Sequence, residues 1–261
     1  ANAAQDAFPL LVPRPFAARM RRGDPDDPLL RQVLVAPEEE LRTAGFGTDP
    51  VGELSCYADE PGLLQKYSGR ALLIATGHCA VNCRYCFRRH YPYGEQALTR
   101  RERLAHVDAL IADDSIGEII LSGGDPLLLT DRELAAVAQR IAGAPRAVTL
   151  RVHTRLPVVI PDRVTVGLLG ALVTEGLRSV VVLHCNHARE IDAVTAAAIR
   201  RMRDAGITVL NQSVLLAGVN DDPHTLAHLG DALFAAGALP YYLHQLDPVA
   251  GAAHFAVDDR R

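Results

Sequence analysis

Three cysteines stand within eight consecutive positions of the chain, in the spacing C-x3-C-x2-C. Thiolates are soft ligands that suit zinc or iron–sulfur clusters. A structural zinc site needs four closed ligands, and the candidates for a fourth ligand lack zinc-like spacing: His78, His90 and the distant Cys185. Three thiolates on an iron–sulfur cubane would instead leave one iron open to a further ligand. A three-cysteine zinc site or unlinked buried cysteines are the alternatives. The cysteines of the cluster motif are Cys79, Cys83 and Cys86.

A glycine pair forms a second candidate element for binding. Ser122, Gly123, Gly124 and Asp125 follow an apolar run and precede a helix-like segment. Glycines at such a turn let backbone polar groups approach a ligand closely. Taken alone, the turn fits an ordinary strand–helix connection equally well.

Composition excludes several classes of protein. The chain has 261 residues, of which 49% are hydrophobic and 22% charged, as in ordinary globular domains. Its net charge is −4, so the chain lacks the overall positive charge that would predict direct binding of nucleic acid. No apolar run approaches the ~20 residues of a membrane span, and no secretory signal pattern opens the chain. Five cysteines, three of them clustered, argue against a disulfide framework and predict a reducing compartment, the cytoplasm.

Short apolar runs alternate with amphipathic segments from residue 67 onward, which predicts an α/β fold with parallel strands. The predicted strands are Ala71–Thr76, Glu118–Ser122, Ala147–Val152, Ser179–His184, Thr208–Gln212 and Leu239–Gln245. The predicted helices are Arg100–Ala112, Asp131–Ile141, Pro161–Thr174, Glu190–Ala205 and Pro223–Ala236. Six such units favour an incomplete (β/α)6 barrel over residues 67–261. A doubly wound sheet is the alternative architecture for these residues. Residues 1–66 are predicted to form an irregular or helical N-terminal extension.

Polar side chains follow each predicted strand. In either architecture, binding and catalysis take place at the carboxyl ends of the strands. The cysteine motif follows the first strand, and the glycine turn follows the second. The later strands are followed by further polar residues: His153 to Arg155, His184 to His187, Asn211 to Ser213, and Asp247.

The segment from Gly77 to His90, GHCAVNCRYCFRRH, resembles the lysine 2,3-aminomutase family of the radical S-adenosylmethionine (SAM) superfamily. Its nearest likeness is the branch that makes (R)-β-lysine for modification of translation elongation factor P. The resemblance begins near residue 45 and covers most of the chain. It continues through residues 121–127, 153–161, 186–191, 211–221 and 240–255.

The resemblance implies an isomerase that uses a [4Fe-4S] cluster, SAM and pyridoxal 5′-phosphate (PLP). In this family the amino group of L-lysine moves from C2 to C3 by radical chemistry. The three cysteines of the motif would hold the cluster. The turn of Ser122, Gly123, Gly124 and Asp125 would receive the amino group of SAM.

Further residues match positions of the family one at a time. Arg88 matches the arginine that pairs with the substrate carboxylate, for which a guanidinium fork is suited. Asp221 and Asp247 match two aspartates that hold the ε-ammonium group, although Asp221 could equally cap the helix that begins at Pro223. The positions near the PLP phosphate are Lys66, Tyr67, Arg70 and Arg155. Surface charge and ordinary packing are the alternative explanations for these four.

Two departures from the family pattern qualify this assignment. The family forms its covalent link to PLP through a lysine beyond the sixth strand, but no lysine follows Lys66 here. We expect that the sequence stops before this lysine; an inactive protein, or PLP held by its phosphate alone, are the alternatives. The segment Glu190–Ala205 also lacks the zinc-binding cysteine of the free-lysine enzymes. Its absence favours the elongation-factor branch.

The expected partners follow from this assignment. They are L-lysine, elongation factor P and its ligase, with a homo-oligomer also compatible with the sequence. Two rival hypotheses stay open. One is an aminomutase that acts on free lysine or another amino acid, and the other is a catalytically silent scaffold that binds a translation factor.

Overall fold

A single mixed sheet organises the computed structural model, which describes residues 3–54, 61–96 and 98–258. Within these residues the sheet has seven strands in the order β1-β2-β3-β4-β5-β6-β7. Strand β1 is antiparallel to β2, and each later neighbour is parallel. The strands are β1 Leu63–Tyr67, β2 Arg70–Thr76, β3 Glu118–Gly123, β4 Thr149–Thr154, β5 Arg178–His184, β6 Thr208–Val214 and β7 Leu239–His244.

The strand order confirms the incomplete barrel and excludes the doubly wound alternative. A doubly wound sheet reverses its order at a switch point, whereas here every strand pairs with the next one along the chain. Strands β1 and β7 stand at opposite ends of the order, so the described sheet is open. All six predicted strands are present within two residues of their predicted bounds. The antiparallel strand β1 was not predicted, and the expected boundary after residue 66 falls inside it.

Most helices lie between successive parallel strands. The helices are α1 Ala3–Ala7, α2 Arg14–Ala17, α3 Pro28–Arg31, α4 Arg100–Ala112, α5 Asp131–Ala142, α6 Leu156–Val159, α7 Val166–Leu172, α8 Ala193–Asp204 and α9 Pro223–Ala236. Short 3-10 turns occur at Pro37–Glu40, Pro126–Leu128, Pro161–Arg163, Ala188–Glu190 and Ala253–Phe255. Within the described residues no helix combines the length and apolarity needed to cross a membrane.

Local capping explains where the helices begin. The Thr130 hydroxyl accepts a hydrogen bond from the Glu133 amide, and the Thr130 amide donates to the Glu133 carboxylate in return. This capping box starts α5 as predicted. The predicted helix Pro161–Thr174 was wrong in its extent. Its first residues form a 3-10 turn, and the Thr165 hydroxyl then accepts the amide of Leu168 at 3.1 Å and starts the separate helix α7.

The core lies between the sheet and its covering helices. Inward side chains of neighbouring strands, such as Leu73, Leu121 and Leu183, are fully buried. The N-terminal segment contributes to the same core through Phe16 and Leu29, both fully buried. Residues before the barrel are therefore packed as part of it.

A buried charge cluster ties the N-terminal segment to the cysteine loop. Arg84 donates through Nε to Glu39 Oε1 at 2.8 Å and through Nη2 to the second oxygen of the same carboxylate. Arg89 also donates to Glu39, at 2.7 Å. Burial disfavours the charged carboxylate, but these donors outweigh that cost, and the pKa of Glu39 is lowered.

Replacing Glu39 with alanine is expected to lower the free energy of unfolding by about 3–5 kcal/mol, because Arg84 and Arg89 would keep buried charges without a counter-charge. Urea unfolding followed by circular dichroism measures the change. The matched control is Asp108→Ala, which removes the exposed partner of Arg140 and should cost no more than about 1 kcal/mol. Equal losses in the two variants would contradict this account.

Candidate functional site

The three motif cysteines lie together in the loop that leaves β2. Their thiols are free and partly buried. Burial raises the pKa of Cys86 to about 11, with the neighbouring Cys83 adding to the rise. The pKa of Cys79 is raised for the same reasons, burial first and then its two neighbours. Without bound metal these two thiols stay protonated at neutral pH, so metal binding here must release protons.

Backbone contacts from the N-terminal segment hold this loop. Asn82 donates its amide to Leu11 O at 2.9 Å and its side-chain Nδ2 to Pro9 O at 2.8 Å. The amide of Arg84 donates to Gln32 O at 2.9 Å. The loop between Cys79 and Cys86 is thus shaped by residues more than fifty positions earlier in the chain.

The chemistry of the cysteines fits an iron–sulfur cluster. The described residues contain no group of three His, Cys, Asp or Glu side chains arranged to hold a single metal ion. Thiolates are soft ligands that suit iron–sulfur clusters, and each of the three thiolates in this loop can bind a different iron. The donor set therefore fits a [4Fe-4S] cluster with one iron left without a cysteine.

The glycine turn lies directly against the start of the cysteine loop. Gly124 donates its amide to Thr76 O at 2.7 Å, and Asp125 donates its amide to His78 O at 2.7 Å. A Cβ atom added to Gly124 would lie 2.2 Å from His78 O, so no side chain fits there. Gly123 has a φ of +110°, which also favours glycine. The predicted SAM turn and the predicted cluster loop are therefore neighbours.

Asp125 serves as the anchor beneath this turn. Its carboxylate is buried and accepts four hydrogen bonds. The donors are Thr154 Oγ1 at 2.6 Å, Arg155 N at 2.8 Å, Leu156 N at 3.0 Å and Leu127 N at 3.1 Å. Burial raises its pKa against the opposing effect of these donors. Asp125 thus joins the end of β3 to the end of β4.

Arg88 lies beside the same turn and already binds a carboxylate. It donates through Nε and Nη2 to the two oxygens of Glu53, both at 2.7 Å, and through Nη1 to Ser122 Oγ at 3.0 Å. Both side chains of the pair are at least 90% buried. The fork that the resemblance assigns to a substrate carboxylate is therefore in a geometry that binds one.

Arg155 lies beneath the cysteine loop in a buried polar network. Its Nη1 donates to Cys83 Sγ at 2.8 Å and to Tyr85 Oη at 2.7 Å. Its Nη2 donates to Gln32 Oε1 at 2.7 Å and to Glu190 Oε2 at 3.0 Å. Among the described residues, the guanidinium of Arg155 contacts these four groups and the rings of Phe16 and Tyr85, and it contacts none of the other residues expected near the PLP phosphate.

The two aspartates expected at the ammonium group differ in setting. Asp222, not Asp221, caps α9 by accepting the amides of His224 and Thr225, so the capping explanation for Asp221 is wrong. Asp221 is exposed and accepts the Gly218 amide at 2.9 Å. Asp247 is half-buried, and burial raises its pKa. The charges of His244, Glu53 and Arg88 have smaller effects on its pKa.

Three of the residues expected at the PLP phosphate lie on the hairpin of β1 and β2. Lys66 is exposed and donates Nζ to Val51 O at 2.7 Å, and Tyr67 is 69% exposed. Arg70 lies 3.9 Å from Glu118 across the sheet. These three share one hairpin, but Arg155 lies elsewhere, so the structure does not bring the four together.

Two strands carry buried histidines near their carboxyl ends, His153 on β4 and His184 on β5. Burial lowers the pKa of His153 to about 3, with the cations Arg151 and Arg88 adding to the effect. The pKa of His184 is also lowered by burial. Nε2 of His153 is buried and has no hydrogen-bond partner among the described residues. A neutral imidazole with an unused nitrogen is suited to contact a bound molecule.

Sequence reasoning missed the partners of the arginines. Gln32, Glu53 and Glu190 all contact site arginines. Glu190 lies within the resembling stretch 186–191, but neither the residue pattern nor the resemblance assigned a role to any of the three. Only a resemblance that also covered the N-terminal segment could have indicated Gln32. Cys185, the distant candidate for a fourth ligand, is fully buried. The remaining cysteine, Cys56, lies outside the described residues.

Comparison with known proteins gives the family. Residues 73–229, more than half of the chain, match the Radical SAM superfamily. The L-lysine 2,3-aminomutase of Escherichia coli (strain K12) is 49% identical over 99% of this chain and 75% of that protein. The protein of that name from Haemophilus influenzae is 47% identical over 98% of this chain and 76% of that protein. The one from Clostridium subterminale is 33% identical over 89% of this chain and 56% of that protein.

A solved structure supports the fold. Native anSMEcpe with bound AdoMet superimposes with a TM-score of 0.51 and 13% identity, over 68% of this chain and 51% of that chain. At that identity the likeness concerns the fold alone. The family match and the two close relatives carry the assignment, and [4Fe-4S] and SAM are the cofactors that the superfamily implies. The chain therefore belongs to the radical SAM superfamily and, within it, to the L-lysine 2,3-aminomutase family of isomerases.

Proposed function

We propose that this protein is a cytoplasmic, PLP-dependent aminomutase that converts L-α-lysine to (R)-β-lysine for modification of elongation factor P. The observation that carries the proposal is 49% identity to a named L-lysine 2,3-aminomutase over 99% of the chain. The geometry agrees with it, because the cysteine loop, the glycine turn and Arg88 meet at one edge of the sheet.

Cluster and SAM occupy the part of the site around β2 and β3 in this proposal. Cys79, Cys83 and Cys86 would each hold one iron of the cluster, and the turn of Ser122, Gly123, Gly124 and Asp125 would hold SAM. When bound, the cluster and SAM would supply a radical, and PLP would supply a carrier for the amino group. The protein binds and orients the reactants and excludes water.

The substrate lies between a cation and two carboxylates. Arg88 holds the α-carboxylate with its fork, which binds Glu53 in this structure. Asp247 and Asp221 hold the ε-ammonium group at the far end. Carboxylates facing that end reject side chains that are neutral or negative. Lysine therefore fits this charge pattern, and glutamate does not.

PLP is proposed from the family resemblance and from the hairpin of β1 and β2. Lys66, Tyr67 and Arg70 there offer two cations and a hydroxyl to a phosphate. Arg155 was expected in the same set, and its contacts with Cys83 and Glu190 give it a different role that is argued below. Lys66 is not assigned to a covalent link with PLP, since it matches the phosphate-side position of the family.

The elongation-factor branch is proposed from two features. The segment Glu190–Ala205 has no cysteine for the zinc site of free-lysine enzymes. The identity to the Escherichia coli and Haemophilus influenzae proteins, at 49% and 47%, also exceeds the 33% to the clostridial protein.

The activity is tested with the full-length protein, purified without oxygen, reconstituted with iron and sulfide and supplied with SAM, dithionite, PLP and L-lysine. We expect a brown protein that forms 5′-deoxyadenosine and β-lysine, with the R configuration after chiral derivatisation. The S product would indicate a free-lysine enzyme. Formation of 5′-deoxyadenosine with no β-lysine from lysine, and no β-amino acid from glutamate or ornithine, would contradict the aminomutase proposal.

Each single change of Cys79, Cys83 or Cys86 to alanine is expected to abolish formation of 5′-deoxyadenosine, because each thiolate binds its own iron. Iron and sulfide analysis with electron paramagnetic resonance measures the cluster. Cys185→Ala is the matched control, since Cys185 is buried but lies outside the loop. A control that also loses the cluster, or a loop variant that keeps full activity, would contradict the assignment.

Asp247→Asn should raise KM for L-lysine about tenfold to a hundredfold, as expected for losing a charged hydrogen bond of about 1.5–3 kcal/mol. Steady-state kinetics of β-lysine formation measures it, with Asp231→Asn on the exposed face of α9 as the control. Unchanged KM in Asp247→Asn would remove this residue from the ammonium site.

A further inference from the structure

Arg155 makes a contact that no substrate or PLP role requires. Its Nη1 lies 2.8 Å from the sulfur of Cys83, the middle cysteine of the motif. The guanidinium is 5% exposed and belongs to the short turn after β4, not to the cysteine loop. A fixed cation therefore reaches one thiol of the cluster site from a different part of the barrel.

The orientation of this guanidinium is set by groups bound to its two terminal nitrogens, Nη1 and Nη2. Glu190, itself fully buried, accepts Nη2 at 3.0 Å. Gln32 Oε1 accepts the same nitrogen at 2.7 Å. The Gln32 amide cannot flip freely, because its Nε2 donates to Glu190 Oε1 and to Pro28 O, each at 3.0 Å. Because Gln32 and Glu190 hold Nη2, Nη1 is directed to Cys83 and to Tyr85 Oη.

Tyr85 encloses the guanidinium of Arg155 on the side of the cysteine loop. Its hydroxyl accepts Nη1 of Arg155 at 2.7 Å and the side-chain amide of Asn186 at 2.7 Å, and it lies 2.8 Å from Nε2 of His184. The Tyr85 ring stacks on that histidine with centroids 5.5 Å apart. Arg155 is thus held in a dry environment, where a hydrogen bond and a positive charge act more strongly than in water.

A hydrogen bond to a cluster sulfur changes how easily the cluster accepts an electron. An N–H donor withdraws electron density from the thiolate, and a nearby cation stabilises the added negative charge. Both effects favour the reduced cluster, the form that must exist before SAM is cleaved. Glu190 opposes the charge of Arg155, but its carboxylate accepts from Nη2, whereas Nη1 is the nitrogen that donates to Cys83.

We propose that Arg155, oriented by Gln32 and Glu190, is a positioning residue that holds the sulfur of Cys83 and raises the reduction potential of the [4Fe-4S] cluster. The proposal rests on the cluster at the three cysteines and not on the identity of the amino-acid substrate. A potential measured without lysine therefore separates its failure from failure of the aminomutase assignment.

The test is a potentiometric titration of the reconstituted protein, with the reduced cluster followed by electron paramagnetic resonance. Arg155→Met should shift the potential to a more negative value, since both the donor and the charge are lost. Arg155→Lys keeps a charge for Glu190 but loses the fork, so a smaller shift in the same direction is expected. Arg103→Met is the matched control, because Arg103 is similarly buried and paired with Glu133 but donates to no cysteine.

A second readout is independent of the potential. Proton ENDOR spectra of the reduced cluster in H2O and D2O should show an exchangeable proton coupling in the native protein and in Arg103→Met. The coupling should be lost in Arg155→Met and weakened or lost in Arg155→Lys. If Arg155→Met does not fold, Arg155→Lys decides alone.

The proposal is overturned if the folded Arg155 variants keep the potential and the coupling of the native protein. It is also overturned if Arg103→Met shifts the potential as far as they do, because the effect would then be general to a lost buried charge. Failure of both Arg155 variants to take up a cluster, with Arg103→Met normal, would limit Arg155 to cluster assembly and likewise overturn the proposed effect on the potential.

Discussion

Buried pairing between arginine and glutamate is the interaction on which the candidate site depends. Three arginines in or beneath the cysteine loop, Arg84, Arg88 and Arg155, bind Glu39, Glu53 and Glu190 respectively. Burying such pairs adds little net stability, because desolvation offsets the attraction. Each pair nevertheless favours a single arrangement of its two side chains, because a displaced partner leaves a buried charge unpaired. The pairs therefore determine where the loop lies more than how stable the fold is.

The glutamates explain why residues before the barrel belong to the site. Glu39 and Glu53 precede β1, and Gln32, beside Arg155, lies in the same N-terminal region. In a loop with three closely spaced thiols, burial and mutual repulsion oppose the charged thiolate form that binds metal. Contacts from other segments are therefore needed to keep the thiols in place. The contacts of the N-terminal segment supply the rigidity that the loop lacks. This makes the segment a part of the cluster site and not an appendage to the barrel.

The sequence predicted the parts of the molecule that local physics controls. Strands such as Glu118–Gly123 are continuous apolar runs, and helix α5 begins at a capping box around Thr130, so both were predicted nearly to the residue. Strand β1 was missed because Leu63–Tyr67 mixes polar with apolar residues and has one buried position. The motif cysteines were found from spacing. Glu53 and Glu190 were not, because a counter-charge to a buried arginine is chosen by tertiary folding and leaves no pattern in the local sequence.

The pairing of Arg88 with Glu53 also bears on the proposed substrate site. A substrate carboxylate that took this fork would displace Glu53, so the contact would add only the difference between two similar interactions, less the cost of leaving the buried Glu53 carboxylate without its partner. In the proposed site, selectivity among amino acids must then come from the end that holds the ammonium group. Asp247 is half-buried, and burial raises its pKa, so an ammonium group bound there would relieve an existing cost. A positive side chain would gain from that relief and a neutral or negative one would not, which makes charge at that end the property that the proposed site selects.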